Sequence, residues 1–502
     1  MPRRERMSSV DTAWLRMDRA TNRMAIVGVL VLDTPLDYER LKAVLATRFL
    51  RYDRFRMRPR EDLAGAWWEE TPRFDLDRQV KRVRLPGRGG PDALKRFVGR
   101  LAPRPFDPRR PWWEFHLVEH YGGGSAVVVR IHHSYADGIA LIGVMLSLTT
   151  EAAAAVAGDV PAPPAADSRR DGSEGLLAQL FEPVAGAASG ALRLSNDVLE
   201  QYLALLRNPQ KVMDYARIAG SVAAEVAQLA TMPDDSRTRF KGTAGVEKAV
   251  AWTEPLSLDE VKAVGRVLDC SVNDVLLSTA AGALRRYLVE KGDPVAGLEL
   301  RAMVPVNLRP ASDDGRLGNR FGLVTLLLPV GIANPLARVY EVHGRMEALK
   351  RSYQPAIAFA LLGLAGFLPR AAQQEMLDLL ANKATAVMTN VPGPQAPLYL
   401  AGARVGQIMF WVPQSGDIGM GVSILSYNGG VQFGLITDAA RVPDPERVIA
   451  GFRPEFERLL LTVMMEPWDA PREPAIVERE LAAEARRSRR KRRGAGAAAK
   501  PA

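Results

Sequence analysis

Cysteine is nearly absent from this 502-residue chain, which carries one, Cys270. A disulfide framework and a zinc site built on cysteines are thereby excluded. Histidine is almost as scarce, at five residues, so chemistry that needs imidazole has few places to reside. Long apolar runs are also missing. The longest nearly uninterrupted one, Ala356–Leu368, has 13 residues, whereas a helix needs ~20 to cross a bilayer. Met1 to Arg6 is basic, but no apolar stretch with a small-residue cleavage site follows it. These absences predict a soluble or membrane-surface protein of a reducing compartment. They argue against a secreted scaffold and an integral membrane protein.

Acidic residues are missing from one place in particular. Ala485–Ala502 holds eight Lys and Arg and no Asp or Glu. The net charge is +10, so the rest of the chain is nearly balanced. A nucleic-acid enzyme of this size would show basic stripes through its folded body. None is legible, and no nucleic-acid partner is expected. The tail has two open readings: attachment to anionic lipid, at roughly 1 kcal/mol per basic residue, or a solvated, disordered extension.

What is present reads as α/β. Met24–Leu32 is an apolar, β-branched run suited to a buried strand, and Leu36–Arg48 has helical spacing. Pro91–Leu101 reads as a helix opened by its proline. Ser125–Ile131 reads as a strand that runs straight into His132 and His133. Composition then shifts at Glu151 to an Ala/Pro/Asp/Ser/Gly-rich linker, and Leu176–Met232 returns to helical spacing. A second mixed region begins near Val246, with helices at Leu258–Leu268 and Asn273–Glu290. Its strand candidates are Leu298–Val306, Leu323–Val330, Ala403–Trp411, Gly419–Ser426 and Val431–Thr437. Tyr427-Asn428-Gly429-Gly430 joins the last two as a hairpin turn. The expected division is an N-terminal domain over 1–150, a linker with crossover helices over 151–240, a C-terminal domain over 241–475 and a basic tail over 476–502.

Ile131-His132-His133-Ser134-Tyr135-Ala136-Asp137-Gly138 carries the chemistry, and three readings of it compete. In the plainest, two histidines fall at a strand end as ordinary packed groups. A metal site is disfavoured, because neighbours on a strand point to opposite faces and the remaining histidines and the single cysteine offer few soft ligands. In the third, one imidazole faces a cleft as a general base while the other packs behind it. Asp137 and Gly138 then shape the turn that fixes the ring. Imidazole suits that role because its unperturbed pKa, about 6.5, lies close to operating pH.

His132-His133-Ser134-Tyr135-Ala136-Asp137-Gly138 is the HHxxxDG signature of the CoA-dependent acyltransferase superfamily, and its surroundings narrow the resemblance. Ser8–Asp33, Phe74-Asp75-Leu76-Asp77, Arg104-Pro105-Phe106-Asp107 and Pro111-Trp112-Trp113-Glu114 resemble the bacterial wax ester synthase/acyl-CoA:diacylglycerol acyltransferases. So do Val272-Asn273-Asp274-Val275-Leu276, Val304–Arg309, Leu317-Gly318-Asn319-Arg320-Phe321-Gly322 and Thr389-Asn390-Val391-Pro392-Gly393-Pro394. The resemblance runs from about residue 8 to residue 465 in the family's order. Trp112 in place of a small aliphatic residue, Gln79 in place of histidine and Phe240-Lys241 before Gly242 depart from the usual pattern. These departures bear on acyl-length and acceptor preference.

The resemblance implies two chloramphenicol-acetyltransferase-like α/β domains with a tunnel between them, joined by a long crossover linker. Acyl-CoA would enter from one side and diacylglycerol or a long-chain fatty alcohol from the other. It implies His133 as general base, His132 beside it, Asp137 as a structural group and Gly138 after it. No Gly-x-Ser-x-Gly elbow is present, which fits direct transfer without an acyl-enzyme. Arg309 is the candidate partner of Asp137, against an ordinary loop arginine. Asn273, followed by Asp274, is either a helix N-cap or an orienting or oxyanion group. Thr389 and Asn390 are candidates to face the tetrahedral intermediate. No permanently bound cofactor and no metal are expected; acyl-CoA is a co-substrate. A lipid acceptor implies a cytoplasmic protein that works at the inner membrane face or at lipid inclusions. Ala356–Leu368 reads either as a core helix or as an interfacial or acyl-tunnel helix. Other functions stay open: acylation of a specialised hydroxyl acceptor, and a non-catalytic lipid-droplet protein. A peptide-synthetase condensation domain shares HHxxxDG but not the flanking motifs.

Overall fold

The computed structural model describes residues 3–62, 65–87, 89–151, 232–308, 321–350, 383–414 and 418–465, with isolated residues including 317, 319 and 373. Most of the linker, the Ala356–Leu368 run apart from 357–358, Arg309 and nearly all of the basic tail lie outside the described residues.

Two large mixed sheets form the frame, each seven-stranded among the described residues. The first runs Val80–Arg84, Trp113–Tyr121, Gly124–His132, Ala25–Leu32, Ala403–Trp411, Tyr399–Leu400 and Thr149–Thr150. The second runs Leu256–Ser257, Gly430–Asp438, Met420–Tyr427, Ala386–Pro392, Leu300–Asn307 and Phe321–Leu328, with Lys248–Trp252 also paired to Gly430–Asp438. A sequence division at 150 and 241 therefore does not follow the sheets. Ala403–Trp411, from the C-terminal segment, pairs antiparallel with Ala25–Leu32 and completes the N-terminal sheet.

Gly124–His132 is buried along its whole length and flanked by a strand on each side. Both of its faces meet protein, so its middle, Ala126–Val129, is a continuous apolar run instead of an alternating one. The glycine that opens it is obligatory, because a Cβ at Gly124 would meet the Leu32 carbonyl oxygen at 2.0 Å. The predicted hairpin forms with Asn428 at φ 49° and Gly429 at φ 77°, the paired positive φ that Asn-Gly tolerates. In the second half the Val272–Glu290 helix is buried on most of its surface, against Pro335–Lys350 and Phe452–Met464. No single helix among the described residues is long and apolar enough to cross a membrane. The halves share a core layer in which Val250, Trp252 and Ile436 pack with Val27, Leu94 and Val98.

Candidate active site

The chemistry-bearing residues sit where Gly124–His132, an interior strand of the first sheet, ends. The His132 N–H donates to the Trp112 carbonyl at 2.9 Å and the His133 N–H to the Met24 carbonyl at 2.6 Å, on opposite neighbouring strands. That alternation sends the two imidazoles to opposite faces. Tyr135 then pins the turn: its hydroxyl donates to the Met57 carbonyl at 2.7 Å and accepts from the Trp112 N–H at 2.9 Å. Asp137 closes the turn as N-cap of the Gly138–Ser147 helix, its carboxylate accepting from the Ala140 N–H at 2.8 Å. Its buried carboxylate thus has a local structural task, and Gly138 is the first helical residue.

His132 is packed. Its Nδ1 accepts the Ser134 N–H at 3.2 Å and lies 2.8 Å from Ser134 Oγ. A backbone N–H can only donate, so Nδ1 is unprotonated and Nε2 carries the proton. Trp112 meets the ring edge-on at 4.9 Å and Phe106 at 6.2 Å. Burial holds the pKa well below the ordinary value. The Ser134–His132 contact has the look of a nucleophile and its base. Ser134 is fully buried, however, and the nitrogen it faces is shared with its own N–H. The contact fastens the turn.

His133 lies among different neighbours. Trp14 stacks on its ring at 4.1 Å and 18°, and Phe321 leans against it at 5.7 Å and 45°. Its Nδ1 is buried with no hydrogen-bond partner. Desolvation lowers its pKa to about 4, against the opposing charge of Asp137, its own carbonyl and Asn319. The ring is therefore neutral at physiological pH, the form that can take a proton. Its carbonyl accepts from Asn319 Nδ2 at 3.0 Å.

The candidates of the second half separate into two groups. Asn390 Nδ2 donates to Asn273 Oδ1 at 2.8 Å, joining the Ala386–Pro392 strand to the start of the Val272–Glu290 helix. Asn273 is not the N-cap: Ser271 holds that place in a capping box closed by Asp274. Thr389 is buried, with its hydroxyl 3.5 Å from the Val422 carbonyl. Asp274 is committed elsewhere, accepting from the Ser271 N–H at 2.9 Å and lying 2.8 Å from His343 Nδ1. With Cys270 these make a cluster of three potential metal donors within 4.8 Å of one another. It stands at a helix N-terminus, whose dipole disfavours a cation. Burial, with Asp274 and Asp269, also pushes the Cys270 thiol up to about 12, so it is protonated.

Sequence reasoning missed Asp11, Trp14, Asn319 and Phe321 as groups that touch His133 or its support. They lie inside Ser8–Asp33 and Leu317–Gly322, which the reading used only as marks of resemblance. Nothing local distinguishes them, because their role comes from folding two distant segments onto one ring.

Residues 7–276 match the wax ester synthase/diacylglycerol acyltransferase catalytic domain, and residues 317–460 match the WS/DGAT C-terminal domain. The chain is 29% identical over 478 residues to a Mycobacterium tuberculosis protein named "Probable diacyglycerol O-acyltransferase tgs1", covering 90% of this chain and 95% of that one. Its fold is similar to that of the wax ester synthase/diacylglycerol acyltransferase from Marinobacter aquaeolei VT8, with a TM-score of 0.64 at 20% identity over 91% of this chain and 100% of the other. The first condensation domain of the calcium-dependent antibiotic synthetase is also similar in fold, with a TM-score of 0.57 at 15% identity over 94% of this chain and 98% of that one. With its catalytic-domain match spanning more than half of the sequence, and its C-terminal match following in order, the chain belongs to the wax ester synthase/diacylglycerol acyltransferase family.

Proposed function

We propose that this protein transfers a long-chain acyl group from acyl-CoA to the hydroxyl of diacylglycerol, of a long-chain alcohol, or of both, with His133 as the base. One observation carries the reading: the His133 ring is buried, held between aromatic side chains and neutral, while the adjacent His132 is tied into the turn. As the imidazole removes the hydroxyl proton, the alcohol oxygen bonds to the thioester carbonyl carbon and the carbonyl electron pair moves onto oxygen. Collapse of that tetrahedral species breaks the C–S bond, and the imidazolium returns the proton to the thiolate. Ester and free CoA leave. One ring thus serves as base and then as acid.

Direct transfer is favoured over an acyl-enzyme by the absence of a Gly-x-Ser-x-Gly elbow and by the raised pKa of the sole cysteine. The Asn273–Asn390 pair is the proposed oxyanion donor set. Acyl-CoA and acceptor are proposed to reach His133 from opposite sides, through a passage between the halves. No resident cofactor is required. Because the acceptor is insoluble in water, the reaction is proposed to take place at a lipid surface, and the cytoplasmic side is part of the same proposal.

The test mixes purified protein with palmitoyl-CoA and either dioleoylglycerol vesicles or hexadecanol, following free thiol and neutral lipid. Thiol release should require the alcohol. His133→Ala should lower turnover by roughly 10²–10⁴-fold, and His132→Ala by less. Full turnover in the His133 variant would reject the base, and vesicle flotation checks the lipid-surface part.

A further inference from the structure

His133 belongs to the N-terminal half, yet part of what holds it comes from the other half. Phe321 lies against the ring, and Asn319 donates to the His133 carbonyl at 3.0 Å. The same Nδ2 donates to Asp11 Oδ1 at 2.8 Å. An amide nitrogen carries two hydrogens, and here two acceptors claim them, which settles which way the amide faces. Asp11 and Trp14 are both on the Ser9–Arg16 helix, three residues apart and so on one face. That short helix thus grips His133 twice, through Trp14 on the ring and through Asp11 and Asn319 on the backbone. Asp11 and Asn319 are 2% and 5% exposed, so water cannot stand in for either partner.

We propose that Asn319, oriented by Asp11, is a positioning residue through which the C-terminal half aligns His133, so that the base is productive only while the halves are docked. The proposal rests on the reading of His133 as the base. The amide matters as a double donor and not as filler, and this makes it testable with isosteric changes. Asn319→Asp keeps the shape but replaces the donor with a carboxylate oxygen, which can only accept, so that it faces the two acceptors Asp11 Oδ1 and the His133 carbonyl. Adding Asp11→Asn restores one donor–acceptor pair between the two side chains while the His133 carbonyl stays without its donor. That exchange also keeps the number of carboxylates near the ring unchanged. The other titratable or charged groups around it, Asp137, Arg54 and His132, stay as they are.

The experiment compares the full chain with Asn319→Asp, the Asn319→Asp/Asp11→Asn exchange and Asn319→Ala. It measures the thermal midpoint, kcat and KM for palmitoyl-CoA, and the titration of the His133 ring by histidine-selective NMR, identified by its loss in His133→Gln. Asn319→Asp should lower both midpoint and kcat, the latter by roughly 10²-fold as expected for a misaligned group, with KM little changed. The exchange should recover the midpoint but not kcat. In the exchange and in Asn319→Ala the His133 titration should rise toward the ordinary value, about 6.5, as water reaches the ring. Recovery of kcat together with the midpoint would reduce the pair to a structural brace and overturn the proposal, as would an unchanged kcat and titration in Asn319→Ala. The ring titration needs no turnover. If it moves as expected in a protein that never releases CoA, the alignment stands and the assignment of the base falls.

Discussion

At the scale of single residues, the informative contrast is between two adjacent imidazoles. His132 spends Nδ1 on the Ser134 N–H, whereas His133 Nδ1 has no hydrogen-bond partner. Both are buried and held below the ordinary pKa. For His133, at about 4, this has a consequence for pH. An ordinary imidazole, with a pKa of about 6.5, is mostly protonated at pH 5. His133 in the free protein should still be neutral there, so the acid limb of kcat/KM should fall below 6.5. An acid limb at or above the ordinary value, measured with an uncharged acceptor, would contradict the burial of the ring. Stability follows the same group. Between about 4 and about 6.5 the unfolded chain binds the proton that the folded site refuses. Stability therefore rises with pH through this window and is lost as pH falls through it. A thermal midpoint followed over that range should slope less steeply in His133→Gln.

At the scale of elements, a strand end, a turn and a helix start form one unit. HHxxxDG was legible as such because Asp137 and Gly138 are residues that end strands and open helices, and the structure places them at the N-cap and the first helical position. The partner element was half legible. Asn273–Glu290 reads as a helix from its spacing, but the structure begins it at Val272 and caps it with Ser271, not Asn273. That releases Asn273 to meet Asn390 across 117 residues of sequence, a distance over which periodicity carries no information. The pair gives an element-level prediction. Asn273→Ala and Asn390→Ala should each reduce kcat, by roughly 10²–10³-fold if they supply an oxyanion donor. The double variant should lose far less than the product of the two, since one contact is broken in either case. Strictly multiplicative losses would show that the two amides act apart. Ser271→Ala should cost about 1 kcal/mol in stability, read from denaturant unfolding, and should disturb kcat only through the position of Asn273.

At the scale of the whole molecule, the first sheet is not the property of the first half. Ala403–Trp411 fills the position beside Ala25–Leu32, and without it that strand would present a long apolar edge. Such edges pair with other chains. Residues 1–240 expressed alone should therefore aggregate or remain unfolded, and co-expression with 241–502 should return soluble, folded protein. A soluble, cooperatively unfolding N-terminal fragment would refute this interdependence. Legible from the order of residues alone were the α/β class, strands such as Ala25–Leu32 and Gly124–His132, helices such as Pro91–Leu101 and Leu258–Leu268, the Asn428-Gly429 turn and the turn that carries the histidines, whereas strands such as Trp113–Tyr121 and Ala386–Pro392 were not. The legible features follow from local periodicity, capping and turn chemistry, which act over a few residues. Only the tertiary structure decided which strands share a sheet, that Asn273 faces Asn390, and that Trp14, Asn319 and Phe321 surround His133. Those arrangements arise from burying apolar faces and pairing buried polar groups across hundreds of residues, and such pairings leave no mark on the local order of amino acids.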